Sequence, residues 1–299
     1  MIYLIGNSTR DKIITGDTEV ETIGGTVWYA AQLMVRLMQP VAVVGFGDAQ
    51  VKHRFEKQRV NVRHFSANGP VAHFENVYTS GQRQQHARIG TKLELSDIPS
   101  KAFEAPAMLV GPVLQDVDPA ILSVRRKGLL LLDAQGFLRH LTPAHRVVEK
   151  MGPDAERAIR HCDILKIDAR EARIITSTGH IDNALKRLHR MGPNVTIITQ
   201  GPRSAHIYDG ARFIQLSAPR MCVIDSTGAG DVFAAAFLTR YLDCSDAIIA
   251  GKFAIAAAGL STRGFGTAAI PSQQEIEQLQ KRHFHHPDTI NVRNHHSPC

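Results

Sequence analysis

Asp225-Ser226-Thr227-Gly228-Ala229-Gly230-Asp231 runs straight into Val232-Phe233-Ala234-Ala235-Ala236-Phe237. The second half is apolar, and Phe233, Ala236, Phe237 and Tyr241 recur at helical spacing, which predicts a buried helix. The glycines then stand at the helix N-terminus. Free N–H groups and the positive end of the helix dipole can hold a phosphate, or a developing negative charge, at such a place. Asp231 falls in the first turn, beside this anion hole. A carboxylate there repels phosphate, but it is placed to take a proton from a hydroxyl that attacks the phosphate. A tight helix entry with an acidic dipole partner would need the same residue types one at a time; the length of the whole string favours chemistry.

Outward from this string the chain alternates. Apolar runs at 2–5, 41–44, 108–110, 129–132, 164–166 and 195–199 read as buried strands. Segments 28–38, 119–126, 143–150, 170–177 and 182–191 read as helices. Such alternation predicts an α/β fold, a mostly parallel sheet with helices on both faces. Asp209-Gly210 lies between two strand-like runs and predicts a hairpin turn. Two stretches break the rhythm. Residues 13–23 and 61–89 alternate at period two and predict antiparallel strands. We expect lid strands from about 12–24 and 61–90, paired into a small sheet that projects from the core and covers a cleft.

The bulk numbers set bounds. With 299 residues, 43% hydrophobic and 21% charged, the composition is that of an ordinary globular protein, expected as a single domain over 1–299. No apolar run approaches a membrane span, and a cytoplasmic protein with no membrane partner is the expectation. The cysteines, Cys162, Cys222, Cys244 and Cys299, form no C-x-x-C pair, and buried or inert thiols are expected. The net charge of +7 is scattered, with only short clusters such as Arg125-Arg126-Lys127, and no nucleic-acid signature accompanies it. From Lys281 onward, His283, His285, His286, His295 and His296 stand in a polar stretch without periodicity, so 281–299 is expected to be a flexible tail.

The string around Asp231 closely resembles the D-x-T-G-A-G-D signature of the PfkB family, the ribokinase-like carbohydrate kinases. The resemblance extends from Gly6 to Pro271. It implies a three-layer α/β/α core with a projecting β-sheet lid that often serves as a dimer interface. It also implies ATP-dependent transfer of a phosphoryl group to a small-molecule hydroxyl. In that reading Asp231 is the base, and the N–H groups of Gly228, Ala229 and Gly230 stabilise the transferring charge. A mildly positive protein suits an anionic nucleotide.

Gly6-Asn7-Ser8-Thr9-Arg10-Asp11 follows the first strand, and Gly24-Gly25 precedes the first helix. They resemble the family's first signature, so Asn7, Asp11, Gly24 and Gly25 are candidate acceptor residues. Glu75, on a lid strand, is another. Many members carry Asn shortly after the paired glycines. This chain has Thr26-Val27-Trp28-Tyr29, whose aromatics could form a wall or simply pack in the core. Asp168-Ala169-Arg170-Glu171 resembles the family's N-x-x-E motif with Asp in place of Asn. That implies Mg²⁺ organised through water by Glu171 and Asp168; an acidic helix start would look the same. The strand end Thr199-Gln200-Gly201, with Thr227, resembles the part that meets nucleotide phosphates. Ala258, Gly259 and Gly264 offer small surfaces for adenine. Asp225 lies where some members bind a monovalent cation such as potassium. Asp133 and Arg139 stand after a strand of four leucines, where Arg139 could meet a phosphate or a structural acid. The acceptor is expected to be a sugar, a polyol such as inositol, or a nucleoside. A catalytically silent nucleotide- or sugar-binding regulator of the same fold is the alternative.

Overall fold

Continuous apolar strands build the centre, because each is buried on both faces. The computed structural model describes residues 1–16, 18–79 and 82–294. The strands, in chain order, are β1 Ile2–Ile5, β2 Thr9–Thr15, β3 Thr18–Gly24, β4 Val41–Phe46, β5 Asn61–Ser66, β6 Ala72–Thr79, β7 Gln82–Arg88 and β8 Ala107–Val110. There follow β9 Leu129–Asp133, β10 Arg139–Leu141, β11 Val147–Glu149, β12 Ile164–Asp168, β13 Val195–Thr199, β14 Ser204–Tyr208, β15 Arg212–Ser217 and β16 Ile290–Asn294. A ten-stranded sheet has the order β16-β15-β14-β13-β12-β9-β8-β1-β4-β5. From β13 to β5 neighbouring strands are parallel, and β14, β15 and β16 add an antiparallel edge.

Helices cover both faces. They are α1 Thr26–Arg36, α2 Ala49–Lys57, α3 Ser100–Phe103, α4 Ala120–Ser123, α5 Gln135–Leu138, α6 Pro153–Arg160, α7 Ala169–Thr176, α8 Ile181–Arg190, α9 Ala229–Cys244, α10 Ala247–Ser261 and α11 Gln273–His283. Alternation along each strand divides the core in two. Leu131, Ile164 and Ile197 pack with α1, α9 and α10, while Leu130, Leu132, Leu165 and Ile167 pack with α6, α7 and α8. This is a three-layer α/β/α arrangement, as the resemblance implies. Among the described residues no helix is long and apolar enough to cross a membrane.

The lid is a separate four-stranded sheet of order β3-β2-β6-β7. It rests on the core through a small apolar cluster of Ala72, Phe74, Ala87, Val113 and Leu114. Several expectations change here. Residues 61–66 are not lid. They form β5 and pair in parallel with β4 at the edge of the main sheet, because α2, which the sequence reading passed over, makes 41–66 a strand–helix–strand unit. The lid strands therefore begin at Thr9 and Ala72. Residues 143–150 are not helical. Val147–Glu149 pairs with β10 as a hairpin, and the helix begins instead at Pro153, whose fixed φ suits a first helical position. The stretch from 281 is ordered as far as Asn294: its first residues finish α11, and β16 pairs with β15 from Arg212↔Asn294 to Leu216↔Ile290. His295, His296 and Cys299 lie outside the described residues. Cys222 is exposed, not buried, whereas Cys162 is buried.

Candidate active site

The site forms where β1, β8, β9, β12 and β13 end, which is where ligands collect in open α/β sheets. Gly228 caps α9 with φ 76°, a conformation glycine adopts without strain. A Cβ on Gly228 would stand 2.3 Å from Cδ1 of Tyr29, so the Tyr29 ring lies directly against the glycine. The Ala229 N–H donates to the Ser226 carbonyl at 3.2 Å and is not free for a ligand. Gly228 and Gly230 stand at the entry of α9, where the first N–H groups of a helix have no intrahelical acceptor.

Asp231 is buried, and its Oδ1 has no hydrogen-bond partner among the described residues. Burial, with Asp133 adding to it, raises its pKa to about 6, while Lys166, Thr26 and Arg139 favour the charged form. A buried carboxylate poised near neutrality, with one oxygen unpartnered, suits a general base.

Beneath it lies a pair the sequence reading did not single out. Lys166 Nζ bonds Asp133 Oδ2 at 2.7 Å, both side chains being buried. The two residues are direct partners in the β9–β12 register. Strand alternation places both on the α9 face, and a Cβ on Gly230 would stand 2.7 Å from Lys166 Nζ. The ammonium thus sits beside the entry of α9. Burial opposes its charge, but Asp133, Glu171 and Asp231 together raise its pKa. A lone lysine inside an apolar strand run was the available signal, because alternation alone decides which face it takes.

Asp168 and Glu171 form a reciprocal capping box on α7. Asp168 Oδ1 accepts from the Arg170 and Glu171 N–H groups at 2.8 Å, and Glu171 Oε2 accepts from the Asp168 N–H at 2.8 Å. Asp168 is the helix cap and not a residue one turn back on the same face. Burial, then Asp168 and Asp133, raises the Glu171 pKa to about 8. Three crowded carboxylates beside one lysine form an environment that a divalent cation would relieve. Among the described residues no group of three or more His, Cys, Asp or Glu is arranged to enclose a metal. Glu171 and Asp168 are the two carboxylates that would face a divalent cation keeping most of its waters.

At the acceptor end, Asp11 Oδ1 accepts from Thr9 Oγ1 at 2.6 Å. A Cβ on Gly24 would stand 2.3 Å from Asp11 Oδ2, so Gly24 leaves room for that carboxylate. Gly25, at φ 95°, lets the α1 entry approach the Asn7 carbonyl. Asn7 is structural: it donates to Asp116 Oδ2 at 2.8 Å and the Thr91 carbonyl at 2.7 Å, and accepts from the Phe46 N–H at 2.8 Å. Its amide is occupied, which corrects its reading as a ligand contact. Glu75 is corrected too. Ala72, Phe74 and Asn76 form the buried face of β6, which leaves Glu75 on the opposite, exposed side. The aromatic pair divides. Trp28 packs on Phe55 in the core, with ring centroids 5.4 Å apart, and Tyr29 enters the site. Thr26, buried at the start of α1, stands beside Asp231 and accepts from Gln135 Nε2 at 3.3 Å.

The donor end is mixed. Gly201, at φ 56°, has nothing near its Cα side and makes an open turn after Thr199. Asp225 bonds the Thr227 and Gly266 N–H groups, both at 2.9 Å, and so ties the signature loop to the turn that contains Gly264. Gly259 does not present an open surface: a Cβ there would stand 2.9 Å from Pro219 and 3.4 Å from Met221. Ala258 packs half-buried on the core, so this stretch serves helix packing.

Comparison with known proteins meets this geometry at its centre. Residues 130–274, which hold Asp133, Lys166, Glu171 and Asp231, match the model of the pfkB family carbohydrate kinase. Over that stretch the chain is similar to the pfkB family carbohydrate kinases. It is similar to a nucleoside kinase of Methanothermobacter thermautotrophicus, 36% identical over 121 residues, covering 40% of this chain and 38% of that one. The chain spans 38% to 62% of the length of the first curated relatives it matches. Its fold is similar to that of a pyrophosphate-dependent kinase in the ribokinase family complexed with a pyrophosphate analog and myo-inositol. That pair has a TM-score of 0.81 and 23% identity over 93% of this chain and 100% of the other. Arabidopsis thaliana ribokinase, complexed with ribose and ATP, gives a TM-score of 0.74 and 20% identity over 94% and 98%.

Proposed function

We propose that this protein is a small-molecule kinase that transfers the γ-phosphoryl group of ATP to a hydroxyl of a sugar, polyol or nucleoside. The observation that carries the reading is Asp231: a buried carboxylate whose Oδ1 has no partner among the described residues, in the first turn of a helix whose leading N–H groups have no intrahelical acceptor. The acceptor hydroxyl loses its proton to Asp231. Its oxygen then attacks the terminal phosphorus in line, and the bond to the leaving group breaks. The Gly228 and Gly230 N–H groups and the Lys166 ammonium stabilise the charge on the transferring group. Glu171 and Asp168 would hold Mg²⁺ through water, and the bound ion would neutralise phosphate charge. Asp11, beside Gly24, orients the acceptor by accepting from its hydroxyls. The lid keeps water from the phosphorus.

One observation favours testing a second donor. Pro219 and Met221 cover the Gly259 surface that the sequence offered to adenine, and one structural neighbour is pyrophosphate-dependent. The experiment is an ester-phosphate assay with ATP and pyrophosphate run in parallel, across D-ribose, myo-inositol and cytidine. Acceptor-dependent product supports the kinase. Tight nucleotide binding without product on any acceptor would favour a silent regulator. The unpaired edge of β3 leads us to propose a lid-to-lid homodimer as well. Light scattering tests it, and a monomer at high concentration would refute it.

A further inference from the structure

The lid and the phosphoryl site meet at one side chain that the mechanism above does not use. Arg139 opens β10, immediately after α5. Its backbone is fixed: Gln115 Nε2 donates to the carbonyls of Phe137 and Arg139, at 2.6 and 3.2 Å. Asp116 fixes the facing loop, with its Oδ1 accepting the Val113 and Leu114 N–H groups at 2.8 and 3.1 Å. Arg139 Nη1 donates to the Val113 carbonyl at 3.4 Å. The guanidinium carbon lies 5.8 Å from the centroid of Phe74, a buried residue of lid strand β6.

Among the described residues no carboxylate lies within ion-pair distance of this cation, and its Nε is buried without a partner. Glu149 faces Arg139 across the hairpin, yet its carboxylate pairs with Arg170 at 3.0 Å. Arg139 also stands near enough to Asp231 to favour the ionised carboxylate. A guanidinium that is partly desolvated, stacked and unpaired lacks an anion. Its planar fork fits phosphate oxygens.

We infer that Arg139 is a catalytic residue that grips the transferring phosphoryl group from the acceptor side, and that the lid sets its position through Phe74. Phe74 is then a positioning residue. Lid closure and the completion of the charge cluster become one event, because the ring that holds the guanidinium travels with the lid. The inference rests on the kinase reading. It goes beyond that reading by assigning Arg139 to the bond-making step and not to ground-state binding of the acceptor.

The test uses the full chain with Mg-ATP and whichever of D-ribose, myo-inositol and cytidine the wild type phosphorylates. Arg139→Ala is expected to lower kcat about a hundredfold with both KM values within about threefold, the pattern of an interaction made in the transition state. Guanidinium ion at a non-denaturing concentration should restore about a tenth of the lost rate, and Arg139→Lys should restore part of it without added ion. Phe74→Leu should lower kcat about tenfold and be insensitive to guanidinium, since its own guanidinium is still present but loosely held. If Arg139→Ala fails to fold, the Arg139→Lys and Phe74→Leu variants carry the comparison. An unchanged kcat, or a rise confined to the acceptor KM, would overturn the assignment while the kinase reading stands. A wild type that phosphorylates no acceptor removes both.

Discussion

The phosphoryl end and the acceptor end of the cleft are built by different means. At the phosphoryl end, Asp133, Lys166, Glu171 and Asp231 project from strand ends and a first helical turn, all buried. Their positions follow from a parallel sheet with both faces covered, and they cannot move without moving the core. At the acceptor end, Asp11 and Phe74 belong to a sheet that touches the core through a small apolar cluster. The family match covers 130–274, which contains the first group and leaves out the lid. Rigid strand ends preserve a chemistry, while a lightly docked lid can be remade for another acceptor.

This contrast can be broken at either end. The largest effect is expected from removing divalent cation. Excess EDTA should reduce product formation to background, and added Mg²⁺ should restore it, because the Glu171 and Asp168 carboxylates repel phosphates unless a divalent cation stands between them. Rates that survive chelation would remove these two acids from the account.

Lys166→Met comes next. It leaves Asp133 and Asp231 facing each other without the shared cation, so stability should fall by about 3–5 kcal/mol and kcat by about a hundredfold. The double variant with Asp133→Asn should recover most of the stability and little of the rate. Urea unfolding and steady-state kinetics separate the two terms. If stability and rate recover together, the lysine is structural only.

A smaller effect concerns pH. Asp231 and Glu171 lie above their ordinary pKa values, at about 6 and about 8, so the folded chain binds more protons than the unfolded one in the window below those values. The stabilisation of the neutral forms is complete at low pH and is lost as pH rises through about 6 and then about 8. Asp231→Asn escapes the first loss. Its advantage over the wild type in unfolding free energy should therefore grow from near zero at about pH 4 to roughly 1–3 kcal/mol at about pH 8. A constant difference across that range would contradict the burial argument. The smallest effect is at the lid's outer face: Glu75→Gln should change kcat and the acceptor KM by less than about twofold. A large rise in KM would return Glu75 to the cleft.

Much of the geometry around Asp231 was legible in the sequence, because its signals are local. Gly228 and Gly230 before an apolar run announce a tight helix entry, and Asp231 stands in the first turn behind it. What escaped was non-local. Lys166 and Asp133 meet only because β9 and β12 are neighbours in register, and nothing in either strand names its partner. The lid was legible as period-two alternation, but its boundary was not. Residues 61–66 alternate as an exposed edge strand of the main sheet, which carries the same pattern as a lid strand. The phase also misled. Glu75 and Phe74 are adjacent, and only the docking of Phe74 on Val113 and Leu114 decides which of them faces inward. The tail read as loose because its strand is short and follows a polar, histidine-rich stretch; pairing with β15 forms it, not burial.

The central claim is that Asp231 takes the proton. The most direct measurement is the single-turnover rate of phosphoryl transfer by Asp231→Asn beside the wild type, both saturated with Mg-ATP and the acceptor that the wild type uses. The account predicts a loss of about 10²–10⁴-fold with stability no lower than the wild type's and nucleotide affinity retained. A variant that transfers at the wild-type rate would contradict it and leave Asp231 as a buried first-turn dipole partner.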